Sequence, residues 1–130
     1  MQALILFSHG ARDPQWARPF ERICQALATR VAPTPVRVAF LEFMVPDLES
    51  AVAEVIAAGA TEVIVVPLFL GQAGHVQRDL PSRLLTIARA HPSVAIRSSA
   101  AAGEDPAVLA ALADYCAEQL DSFEPKSGKP

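Results

Sequence analysis

Four apolar stretches divide the chain, and each leads into a segment with helical spacing. The first, ALILFS (Ala3–Ser8), is a continuous apolar run, as expected of a strand buried on both faces. Asp13-Pro14 then supplies a cap and a first-turn proline, so a helix is predicted to about Arg30, settling after Pro19. VRVAFLEF (Val36–Phe43) reads as the second strand, and Pro46-Asp47 opens a second helix ending near Gly59. EVIVVPLFL (Glu62–Leu70) is the third strand, with Pro67 expected near its end because proline cannot donate to a ladder. After a loop over Gly71–Arg78, Asp79 is the expected cap of a third helix running to His91. VAIRSS (Val94–Ser99) is the fourth strand, and Asp105-Pro106 starts the last helix.

Strand and helix alternate four times, which predicts an α/β fold: a three-layer αβα sandwich around a four-stranded parallel sheet. A length of 130 residues fits one domain, expected over 1–121, with a frayed tail over 122–130. In such sheets ligands bind beyond the carboxyl ends of the strands, near a topological switch point.

Three polar residues fall at those ends: His9, Glu42 and His75. Singly, a histidine or glutamate after a strand is an ordinary hydrogen-bonded or solvated loop residue. Together, two imidazoles and a carboxylate suit a divalent metal or acid/base chemistry. The histidine loops share a grammar, since HGARD (His9–Asp13) and HVQRD (His75–Asp79) both read His-x-x-Arg-Asp. Each places an arginine, Arg12 or Arg78, one residue before an Asp that can cap a helix, so each offers a guanidinium and a helix N-terminus to an anion. Gly10, Gly71 and Gly74 flank the histidines and allow close backbone approach. Trp16 and Phe20 are expected to pack in the core, and Gln77 has no assigned role.

Charge and composition narrow the field. A net charge of −3 argues against general nucleic-acid binding. Of eleven basic residues, two are the lysines Lys126 and Lys129; the other nine are arginines, a mild bias toward carboxylate or phosphate ligands. Cys24 and Cys116 lack metal-site spacing and read as buried free thiols. No apolar run approaches a membrane span and no leader pattern is visible, so a soluble cytoplasmic protein is expected. Neither histidine loop is a nucleotide fingerprint, since there is no GxGxxG after strand one and no GxxxxGK[ST].

At LFSHGARDP, AFLE followed by a Pro-Asp helix start, and VVPLFLGQAGHVQRDLP, the chain resembles the small class II chelatases. These form the sirohydrochlorin cobaltochelatase/ferrochelatase family of cobalamin and siroheme synthesis. The resemblance spans roughly residues 2–120 and implies a lyase that inserts Co²⁺ or Fe²⁺, with Ni²⁺ also suited, into a sirohydrochlorin-type tetrapyrrole. It implies His9, His75 and Glu42 as catalytic and metal-binding residues. Ser8, Gly10, Arg12, Leu70, Gly71, Gln72, Ala73, Gly74 and Arg78 are then expected to contact the tetrapyrrole. The metal is a substrate in transit, and no organic cofactor is implied. The family's small members look like half of a two-lobed chelatase, so a homodimer is expected by analogy.

Two other readings compete. A metal- or tetrapyrrole-binding delivery module would use the same residues without turnover. A histidine-type phosphatase also places a histidine after strand one, but it needs an arginine directly before that histidine, where this chain has Ser8.

Overall fold

The computed structural model describes residues 1–71 and 74–122, with backbone alone at 74–78 and 121. Four strands, β1 (Gln2–Ser8), β2 (Val36–Phe40), β3 (Glu62–Pro67) and β4 (Ala95–Ser98), form one parallel sheet in the order β2-β1-β3-β4. The order reverses direction between β1 and β3, which makes their carboxyl ends the switch point. Four helices connect or follow the strands: α1 (Arg18–Val31), α2 (Leu48–Ala57), α3 (Gly74–Ala90) and α4 (Pro106–Ser122). The predicted α/β sandwich is therefore the observed architecture.

One sheet face carries the core. Ala3, Ile5 and Phe7 of β1 lie in register with Val63, Val65 and Pro67 of β3. Leu48, Val52 and Val55 of α2 and Leu84 and Ile87 of α3 join them in one buried cluster. Burying each of the larger side chains contributes roughly 1.5–3 kcal/mol, so this cluster fixes the positions of the strand ends. On the opposite face α1 lies against β1 and β2. The β3–β4 half of that face stays partly open, with Ile64 and Val66 half-buried. Helix α4 packs chiefly on the 3-10 turn Ala102–Glu104 before it, and Leu109, Leu112, Tyr115 and Leu120 are exposed.

Element boundaries differ from the pattern in informative places. The first predicted helix is split: a 3-10 turn, Pro14–Ala17, is capped by Asp13, and α1 begins at Arg18 with Pro19 in its first turn. Strands β2 and β3 end three residues early, at Phe40 and Pro67. Helix α3 starts at Gly74, five residues before the expected cap, so Asp79 lies inside it and the loop expected over 71–78 is mostly helix. Asp79-x-Pro81 carries start-signal chemistry, yet here Pro81 sits within the helix, where its missing N–H removes one helical hydrogen bond. The tail expected over 122–130 lies outside the described residues except Ser122, which belongs to α4.

Candidate active site

The site is built where β1 and β2 end. Beyond the strands their pairing continues through the Leu41 N–H to the Ser8 carbonyl (2.8 Å) and the Glu42 N–H to the His9 carbonyl (3.1 Å). Gly10 follows with φ +81°, and a Cβ there would overlap the Glu42 carbonyl. Only glycine permits both the left-handed backbone and this approach. The sequence thus laces the loop carrying His9 to the loop carrying Glu42. Phe43 continues the second loop with φ 67°, a costly conformation for a bulky residue. Its exposed ring lies under the Arg12 guanidinium, 4.9 Å from carbon to centroid. Such a contact is a cation–π attraction, and it is compatible with guanidinium N–H groups that also bind an anion.

His9 is half-buried, and its ring lies against Phe69, with centroids 4.4 Å apart and planes at 33°. Phe69 is 2% exposed and touches Phe7 on another side, centroid to centroid 5.8 Å. Its carbonyl accepts from the Gly103 N–H at 2.8 Å. Ser8, expected to contact the tetrapyrrole, is fully buried, and its Oγ accepts from the Trp16 indole N–H at 3.1 Å. Trp16, expected in the core, is 41% exposed and stacked on Phe20 at 5.8 Å, because that hydrogen bond holds it at the mouth of the 3-10 turn.

The structure brings His9, Gly10 and Glu42 together and sets Arg12 beside Phe43 at the same end of the sheet. Leu70 and Gly71 are exposed beyond β3. His75 falls in the first turn of α3, with Gly74 opening that helix and Arg78 one turn further on. The side chains of His75, Gln77 and Arg78 lie outside the described residues, as do Gln72 and Ala73 entirely. Among the described residues no three His, Cys, Asp or Glu side chains gather into a metal cage.

Three contributors escaped the sequence reading: Phe69, Phe43 and Gly103. Phe69 is one letter of an apolar run, and Phe43 ends the second predicted strand with no polar group of its own. Gly103 reads as an ordinary helix lead-in, although a Cβ there would overlap the Leu70 carbonyl. Cys24, read as a buried thiol, is half-buried; burial raises its pKa, and its Sγ lies 3.6 Å from the Val36 carbonyl. Cys116 is exposed, unlike the expected buried thiol. Among the described residues no helix is long and apolar enough to cross a membrane.

Comparison with known proteins places the fold and the family. The sirohydrochlorin cobaltochelatase of Methanococcus maripaludis is 36% identical over 84 residues, 65% of this chain and 58% of that protein. The sirohydrochlorin ferrochelatase of Bacillus subtilis is 28% identical over 111 residues, 85% of this chain and 42% of that protein. The matches thus span less than two thirds of the length of these curated relatives. Among solved structures, the CbiX protein of Marinobacter aquaeolei superposes with a TM-score of 0.84 at 27% identity, covering 94% of this chain and 99% of that one. SirB from Bacillus subtilis with Fe³⁺ gives 0.77 at 28% identity, covering 95% of this chain and 48% of that one. The CbiX family pattern matches residues 3–119, and the chain belongs to the CbiX family.

Proposed function

We propose that the protein inserts a divalent metal ion, Co²⁺ or Fe²⁺, into sirohydrochlorin, as a cytoplasmic chelatase of cobalamin or siroheme synthesis. The observation that carries this reading is the lacing of His9 to Glu42 at the switch point, through the Glu42 N–H and the space Gly10 leaves open. Relatives named as sirohydrochlorin cobaltochelatase and ferrochelatase support the substrate, and a SirB structure in complex with cobalt supports the ion.

Insertion requires two pyrrole N–H protons to leave and the ion to shed water. The imidazole of His9 can accept a proton or bind a first-row ion. Glu42 supplies negative charge that stabilises the incoming ion or the imidazolium. His75, in the first turn of α3, is the proposed second imidazole. Arg12, which lies over the Phe43 ring, and Arg78 are proposed to hold the macrocycle's carboxylates, with Gly10 and the segment Leu70, Gly71, Gln72, Ala73, Gly74 allowing its edge to approach. Ligands this few suit an ion that must be released, unlike a closed structural cage.

A second copy of the chain is proposed to complete the crevice. The exposed Leu109, Leu112, Tyr115 and Leu120 on α4, and the half-open sheet face at Ile64 and Val66, support an apolar partner surface. The test of function is Co²⁺ insertion into sirohydrochlorin, followed by absorbance at substrate excess. Many turnovers per chain are expected; a single stoichiometric spectral change would mark a binding module and contradict the enzyme reading.

A further inference from the structure

We propose that Phe69 is a positioning residue that fixes the plane of the His9 imidazole, and that the turn Ala102–Glu104 holds Phe69 in place. The proposal rests on the reading of His9 as the group that handles metal or proton.

The geometry is a short relay. The His9 ring lies against Phe69 at 4.4 Å, and Phe69 is wedged by Phe7 at 5.8 Å. Phe69 has almost no freedom of its own, because it is 2% exposed and its neighbours in the core are fixed. Its backbone is held on both sides: the Leu68 N–H donates to the Phe7 carbonyl at 2.8 Å, and the Gly103 N–H donates to the Phe69 carbonyl at 2.8 Å. Gly103 can approach only because it lacks a Cβ, which would collide with the Leu70 carbonyl. The residues after β4 therefore hold the segment that follows β3, and that segment carries the ring packed on the imidazole.

The contact has chemical consequences. Stacking occupies the π face of the imidazole and engages neither ring nitrogen. A histidine that takes up and releases an ion needs its nitrogens aimed without a permanent hydrogen bond competing for them. Orientation within about 10–20° is what a productive ligand requires, and a buried aromatic wall provides it. Loss of such outer support typically costs 10–100-fold in metal affinity or activity.

The test compares wild type, Phe69→Leu, Phe69→Tyr and His9→Ala in Co²⁺ insertion, with NMR of isotope-labelled histidine on the same proteins. Phe69→Leu is expected to lower kcat about tenfold, with KM for sirohydrochlorin unchanged. It should also abolish the ring-current displacement of the His9 imidazole signals that wild type shows. Phe69→Tyr, which keeps the ring, should restore most of both. Undiminished kcat in Phe69→Leu, with His9→Ala inactive, overturns the positioning role and leaves the chelatase reading standing. Full turnover in His9→Ala overturns the reading of His9, and the positioning role with it. The wild-type spectrum needs no variant to fold, and an undisplaced His9 signal there overturns the proposal directly.

Discussion

The loops leaving β1 and β3 share three letters in five, His-x-x-Arg-Asp, yet the chain builds them differently. After β1 the pattern is spent on an open turn: Gly10 takes φ +81°, Arg12 stacks on Phe43, and Asp13 Oδ1 accepts the Gln15 N–H at 2.9 Å. After β3 the same letters are helical, with His75 in the first turn of α3 and Asp79 exposed within it. One histidine is therefore presented by a turn locked to its neighbour, the other by the start of a helix. Identical spacing fixes which residues are near a strand end; the backbone around them decides how each is aimed.

Substitutions can break or sharpen this contrast. The largest effect is expected at His9 itself: His9→Ala should reduce the rate of metal insertion on the order of 10²–10⁴-fold, the usual contribution of a positioned proton acceptor. Next comes Gly10→Ala, which adds a Cβ at positive φ against a backbone carbonyl. Strain of about 1–3 kcal/mol, plus displacement of Glu42, should lower both thermal stability and turnover. In the other loop Gly71→Ala meets nothing within 4 Å among the described residues and should leave stability unchanged within about 0.5 kcal/mol. Denaturant melts of the two alanine variants would erase the contrast if they matched.

The aspartates give the same comparison at smaller scale. Asp13→Ala removes a cap and should cost about 1 kcal/mol. Asp79→Ala exchanges an exposed mid-helix residue for a better helix former and should cost nothing measurable. Equal losses at both sites would return Asp79 to the role of a cap.

The smallest effect concerns how α3 is tied down. Arg83 of α3 reaches Glu49 of α2 through two hydrogen bonds of 2.7 Å, and that partner holds the Glu49 carboxyl below its ordinary pKa. A lowered folded pKa gives stability that is complete above the ordinary glutamate value, about 4.3. It is lost as pH falls through the lowered value. With Glu49 about half exposed, the effect should stay below about 1 kcal/mol. Glu49→Gln should flatten that part of the acid unfolding profile and leave neutral-pH insertion kinetics unchanged.

Much of this architecture was legible in the sequence because its signals are local. Continuous apolar runs such as Ala3–Ser8 announce buried parallel strands, and Asp47 and Asp105 cap the helices they precede. The region of the site followed from topology, since His9 and Glu42 stand beyond β1 and β2. What stayed hidden depends on contacts between distant segments. Nothing in the apolar run marks Phe69 as the wall behind His9, and Gly103 acts on it from beyond β4. The start of α3 was misplaced because Asp79 and Pro81 carry the chemistry of a helix start without occupying one.

The most direct test of the account is steady-state Co²⁺ insertion into sirohydrochlorin by wild type and His9→Ala, with folding of both verified by circular dichroism. Wild type should turn over repeatedly while the folded variant loses at least about two orders of magnitude in kcat. A folded His9→Ala that inserts cobalt at the wild-type rate would contradict the assignment of the switch-point histidine as the working group.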